Sequence, residues 1–187
     1  MPTTQPSQPT TEAPDEHWVE ALPDGSHVLI RPLRAEDRQR EADFIARLSP
    51  EARHFRFLCS MREVSPALLD QLMTVDFHDS AAYIALVHQG GELVEVGVSR
   101  YARGADAGHC ECAVTVADDW RHRGLGVVLM RHLIETARRN GMTQMYSIDS
   151  AANAPMHELV RFLGFSSHQD PEDPTQTIHT LQLQPAT

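Results

Sequence analysis

The sequence predicts an α/β (α+β) fold: one mixed, mostly antiparallel sheet of about six to seven strands flanked by about four helices. Three observations predict it. A length of 187 residues with 41% apolar side chains suits one domain with a substantial core. Two strand-like runs, 82–87 and 93–101, flank Gly90-Gly91 and read as a β-hairpin. Between 109 and 149 a β-branched run, a glycine-rich turn, a helical pattern and a second strand follow in order. That order makes a strand–helix–strand unit with parallel strands.

The elements follow in sequence. Residues 1–20 are expected to be a disordered N-terminal tail, because the Pro-, Thr-, Gln- and acid-rich start offers almost nothing to bury. The folded domain is then 21–187. His-Val-Leu-Ile-Arg at 27–31 is a first strand, with Pro32 near its end. Residues 34–48 carry Ala42, Ile45 and Leu48 at helical spacing, and Ser49-Pro50 opens a second helical piece, since proline suits a first turn. Ser65-Pro66 repeats that signal ahead of Leu68, Leu69 and Leu72. After the hairpin, a glycine-containing turn at 104–108 leads to a fourth strand, 109–116. The helix that follows spans about 124–140, with Leu125, Leu129, Leu133 and Ala137 four apart on one face and Asn140-Gly141 as its stop. Residues 145–149 form a fifth strand, Asn153-Ala-Pro-Met opens a last helix ending at Gly164, and the alternation over 177–183 gives a final strand.

A formal charge of −10 argues against nucleic acid and anionic membrane as partners. No apolar run approaches bilayer-spanning length and the start lacks the order of a signal peptide, so the chain is expected in the cytoplasm. It contains no lysine: all 16 residues of the Lys/Arg class are arginine. Codon bias accounts for this, and an enzyme that modifies lysines having none to modify is the other reading. The odd set of Cys59, Cys110 and Cys112 points to reduced thiols. Cys110 and Cys112 share a strand face about 6.5 Å apart, awkward for a disulfide. His109 stands beside them, but a closed zinc site needs four ligands and no second pair is suitably spaced; no metal is expected.

The stretch from Val114 to Met130 carries the chemistry. A strand feeds Arg121-His122-Arg123-Gly124-Leu125-Gly126, which opens directly into a helix. Backbone N–H groups and the helix dipole then converge on one point, a cradle for a phosphate or pyrophosphate. The dinucleotide fingerprint fails because Leu129 stands at its third glycine, and the Walker loop fails for want of a lysine. A mere tight turn would explain neither the basic neighbours nor the helix placement. His122 contributes through its backbone more than its ring.

Arg121-His122-Arg123-Gly124-Leu125-Gly126 resembles the Gln/Arg-x-x-Gly-x-Gly/Ala motif of the GNAT (Gcn5-related N-acetyltransferase) superfamily. Asn153, with Leu163-Gly164-Phe165 downstream, is similar to that family's second signature, and the order of elements over roughly 27–184 fits as well. The resemblance implies that strands 4 and 5 splay and that the pantetheine arm of acetyl-CoA enters between them. Val114, Thr115 and Val116 would pair with its amides. The loop from Arg121 through Arg123, Gly124, Leu125 and Gly126 to Val127 would hold the pyrophosphate, with Arg121 or Arg123 adding charge, and Asn153 would touch the arm from the other side.

Acyl transfer to an amine needs a proton acceptor, because an alkyl ammonium of pKa ~10.4 is charged at neutral pH. Glu111 lies on the face opposite Cys110 and Cys112. Taken alone it reads equally as a solvent-facing strand residue. Its segment, Cys110-Glu111-Cys112-Ala113-Val114-Thr115-Val116, resembles the Ala-Glu-x-Ala-x-x-Val strand of bacterial Pat-type protein lysine acetyltransferases, which implies the base role. Residues 30–37 and 48–57 resemble the opening of those domains, and His54-Phe55-Arg56-Phe57 reads either as helix packing or as a substrate wall. Two departures stand out. Pat enzymes commonly carry a further region, so their regulation and partners do not transfer. Many family members also have a tyrosine where this chain has Val160; Tyr146 has no spacing argument for that role, and the acid for the CoA thiolate stays unassigned.

The resulting expectation is direct acetyl transfer from acetyl-CoA to a primary amine, with a protein lysine as acceptor and the chain a monomer or homodimer. A small amine, amino acid or antibiotic acetyltransferase is the enzymatic alternative. A non-catalytic acyl-CoA-binding domain is the alternative outside enzymes.

Overall fold

Strand β3 (Ser80–Gln89) shows how this sheet is built. Its near-continuous apolar run reflects burial on both faces. Ala81, Tyr83, Ala85 and Val87 join one core, while Ala82, Ile84 and Leu86 join the other. The structure, a computed structural model, describes residues 12–59, 61 and 63–183. Besides β3 its strands are β1 (Trp18–Ala21), β2 (His27–Pro32), β4 (Glu92–Arg103), β5 (His109–Val116), β6 (Gln144–Ser150), β7 (Ser166–Gln169) and β8 (Gln176–Gln182). They form one sheet in the order β1-β2-β3-β4-β5-β6-β8-β7, antiparallel except between β5 and β6.

Helices α1 (Arg38–Arg47), α2 (Pro50–Phe57) and α3 (Pro66–Met73) belong to one face. There Phe44, Ile45, Leu48, Ala52 and Leu72 meet Ile84, Leu86 and Val98. On the other face, α4 (Leu125–Arg139) and α5 (Ala154–Phe162) bury Leu125, Leu129, Leu133, Met156 and Val160 against β1 to β6. The proline-led starts behave as expected: Ser49 and Ser65 accept hydrogen bonds from the N–H groups of Ala52 and Leu68, each at 3.1 Å.

The mixed sheet with helices on both faces agrees with the sequence reading, and three details are corrected. The tail expected over 1–20 ends sooner: Trp18–Ala21 is a strand, held because Trp18 stacks on His132 at 4.0 Å and Glu20 meets the same ring at 2.8 Å. Residues 1–11 of that tail lie outside the described residues. The sheet has eight strands rather than six to seven, with β1 and β7 added at its two edges. Five α-helices are present among the described residues against the overall figure of about four, one at each of the five helical stretches named along the chain, with the break between α1 and α2 at the extended Leu48.

Candidate active site

The parallel ladder between β5 and β6 is short. It pairs His109 with Gln144, Cys110 with Met145 and Glu111 with Tyr146, then stops. Beyond it β5 keeps only β4 as a partner, and β6 keeps only β8. Cys112 to Val116 and Ser147 to Ser150 therefore border a wedge-shaped slot with open backbone edges on both sides. An extended ligand can add itself to such edges as a strand. The splay implied for the predicted strands 4 and 5 is this slot.

A cavity of about 610 Å³ occupies the slot and its surroundings. Glu111, Val114, Thr115, Val116, Arg121, His122, Gly124, Leu125, Gly126, Val127 and Asn153 all line it. Arg123 does not. Its guanidinium donates to the Asp119 carbonyl at 2.9 Å, reaches Asp24 at 3.4 Å and lies over the Trp120 ring at 4.6 Å. The charge that the loop presents is that of Arg121, which is steadied by Asp118 at 3.3 Å.

The cradle is a property of the backbone. His122 and Gly124 adopt positive φ of 59° and 85°, which folds the loop back onto the start of α4. The N–H groups of Leu125, Gly126 and Val127 precede the first helical bond, made by Val128 to the Gly124 carbonyl at 3.3 Å, and so have no acceptor within the helix. A Cβ at Gly126 would stand 3.1 Å from Leu159 Cδ2, so glycine is what lets α5 close on the cradle. Thr115 adds a buried hydroxyl with no hydrogen-bond partner. Asn153 caps α5 by accepting from Met156 N–H at 3.3 Å, which leaves its NH2 group for a ligand. Open edges and orphan N–H groups, with Arg121 beside them, fit a long ligand that is anionic at the α4 end.

Glu111 is exposed on the α2 side of the slot, while Cys110 and Cys112 are buried on the α4 side. Burial pushes the Cys110 thiol up to about 12 and Cys112 well above its ordinary value, so neither offers a thiolate. Asp149 and Glu158, to which the sequence reading gave no role, also face the cavity, and so does Arg56. Asp149, at the end of β6, is raised by burial against the lowering effect of a 2.7 Å hydrogen bond from Ser147. Arg56 of α2 is brought down to about 10 by burial and by Arg100, opposed by Glu41, Glu111 and Asp149. Phe55 and Phe57 line the cavity beside it, so α2 is a wall of the site. Tyr146 is not: the hydroxyl is turned to Gly104, 3.1 Å from where a Cβ would stand there. Among the described residues no group of three His, Cys, Asp or Glu could hold a metal ion, and no helix is long and apolar enough to cross a membrane.

The sequence profile of the acetyltransferase (GNAT) family matches residues 45–165. The chain belongs to this family. It is 63% identical over 168 residues to acetyltransferase PA5475 of Pseudomonas aeruginosa, covering 90% of each chain. It is 30% identical over 141 residues to acetyltransferase Pat of Mycolicibacterium smegmatis, which is 75% of this chain and 41% of that one. The fold superposes on the GNAT domain of S. lividans PAT with a TM-score of 0.81 at 24% identity, covering 89% of this chain and 97% of that one. It also superposes on yncA of Salmonella typhimurium, solved with its cofactor acetyl-CoA, with a TM-score of 0.69 at 20% identity and coverage of 87% and 97%. Acetyl-CoA is the co-substrate of GNAT acetyltransferases.

Proposed function

We propose that this acetyltransferase passes the acetyl group of acetyl-CoA directly to a primary amine, a protein lysine, within a ternary complex. The observation that carries the reading is one cavity holding three things in order: an N–H cradle at the start of α4, an open-edged slot between β5 and β6, and Glu111 where the slot closes.

Each part has a physical task. The N–H groups of Leu125, Gly126 and Val127, with Arg121, hold the pyrophosphate, since a helix N-terminus favours an anion. The edge at Val114, Thr115 and Val116 receives the amides of the arm and fixes the thioester in the slot. Glu111 takes a proton from the acceptor ammonium, directly or through water, and the free amine attacks the thioester carbonyl. The α2 wall of Phe55, Arg56 and Phe57 lies on the side from which the acceptor enters. The Pat-like segments support lysine as that acceptor.

Glu111→Gln tests the reading. Thiol release from acetyl-CoA is followed with lysine peptides and, separately, with free amino acids and small amines. The variant is expected to lose turnover by about 10²-fold or more while binding acetyl-CoA as the wild type does. Unchanged turnover would remove Glu111 as the base. Transfer to small amines alone would replace the lysine reading, and binding without transfer to any amine would leave a non-catalytic acyl-CoA-binding domain.

A further inference from the structure

Direct transfer leaves one requirement unmet, a proton for the departing thiolate, and the slot has a second carboxyl placed to supply it. Glu111 and Tyr146 are the last ladder pair. Continuing that register by three residues on each strand sets Asp149 level with Val114, across the slot. Side chains alternate along a strand, so Asp149 faces the same way as Ser147. Their 2.7 Å hydrogen bond agrees. Ser147 pairs with His179, which meets His157 of α5 edge-on at 5.0 Å, so Asp149 opens on the α5 side of the sheet. Glu111 opens on the α2 side. A thioester lying along the slot between the cradle and Glu111 would have its carbonyl nearer Glu111 and its sulfur nearer the level of Val114.

We propose that Asp149 is the general acid of this enzyme, giving its proton to the sulfur of CoA as the acetyl group leaves. The assignment rests on the acetyl-transfer reading above and goes beyond it. The step balances in atoms and charge. The amine nitrogen bonds to the thioester carbon after Glu111 has removed one proton, and it loses a second to water once the new C–N bond has formed. The C–S bond breaks with its electron pair on sulfur, and the Asp149 proton joins that pair to give the free thiol. Asp149 regains a proton from water and Glu111 returns its own, so one proton is released per turnover.

The surroundings of Asp149 suit the role. From β8, His179 Nε2 stands 3.8 Å from Asp149 Oδ2 with no hydrogen-bond partner of its own. Burial, with His157 and His168 nearby, pushes His179 down to about 4, so it is neutral and offers no cation to hold a carboxylate. From β6, Ser147 favours the carboxylate; from α5 and α2, His157 and Arg56 act in the same direction, and from β5 Glu111 opposes them. Burial outweighs the favourable partners, and the Asp149 carboxyl holds its proton to higher pH than an exposed one. A thioester filling the slot removes more water and deepens that effect.

Acetyl transfer to a lysine peptide is measured across pH for the wild type, Asp149→Asn, Asp149→Glu and Ser147→Ala, together with acetyl-CoA affinity and thermal unfolding. An acid must be protonated to act, so wild-type kcat falls as pH rises through the pKa of Asp149 in the complex. Asp149→Asn is expected to lower kcat by about 10²-fold with acetyl-CoA affinity unchanged, and to lose the alkaline fall. Asp149→Glu restores the fall. Ser147→Ala, which removes a hydrogen bond to the charged form, moves the fall to higher pH, a shift that a purely structural Asp149 would not give. Activity of Asp149→Asn within threefold of wild type, a loss confined to KM, or an alkaline fall indifferent to Asp149→Glu and Ser147→Ala overturns the assignment alone. No transfer by the wild type overturns the reading of the site and the assignment together.

Discussion

Gly124 sits where the loop must turn back onto α4, and its φ of 85° is a conformation that side chains disfavour. A Cβ there would also stand 3.2 Å from Pro23 Cδ, in a rigid ring. Gly124→Ala is therefore expected to destabilise the protein by about 1 kcal/mol or more and to weaken acetyl-CoA about tenfold, because the strain is relieved by moving the N–H groups of the cradle. Urea unfolding and a binding titration check both, and unchanged affinity would show that the cradle does not depend on this turn. The glycines and their helix were legible from spacing because backbone conformation is local. The face of Glu111 was legible too, since alternation on β5 is local. Arg121 and Arg123 could not be told apart, because Asp24, which helps turn Arg123 away, is 99 residues distant in sequence. Asp149 was read only as the end of a strand. Its burial depends on β8 and α5, and no spacing in its own segment records that.

Each strand or helix was legible in proportion to the regularity of the side it buries. Helix α4, apolar at every fourth residue on one face, was found almost to its ends. Strand β7, Ser-Ser-His-Gln, is exposed at all four positions and carries no apolar period to detect. Strand β1 is similar but consequential. It leaves Val19 69% exposed and turns Trp18 and Glu20 inward, where they meet His132 of α4. Just before it, Glu16 accepts a 2.6 Å hydrogen bond from the buried Tyr83 hydroxyl, whose pKa burial and that carboxylate raise. Trp18 and Glu20 thus tie the edge of the sheet to the helix that carries the cradle, and Glu16 before them reaches β3. Trp18→Ala is expected to destabilise the protein by about 2 kcal/mol, below the range for a fully enclosed aromatic because Trp18 is only partly buried. A shift of the urea midpoint at unchanged slope checks this. A loss below about 0.5 kcal/mol would mean that β1 rests on the sheet without supporting it.

The whole chain constrains the route of the acetyl group more tightly than any one residue does. A covalent acetyl-enzyme needs a nucleophile in the cavity. The chain has no lysine to serve. Of its thiols, Cys110 and Cys112 are buried with their pKa values pushed up, and Cys59 is exposed but does not line the cavity. A slot open on both faces of the sheet, with Glu111 toward one and Asp149 toward the other, lets acceptor and donor be present together. Direct transfer therefore predicts that acetyl-CoA alone leaves the intact mass of the protein unchanged over many turnover times. It also predicts that double-reciprocal plots for acetyl-CoA and acceptor intersect. An acetyl adduct forming at a rate that matches turnover, with parallel plots, would reverse the order of events. The missing nucleophile would then have to be sought among the hydroxyls of the cavity, beginning with the buried and unpartnered Thr115.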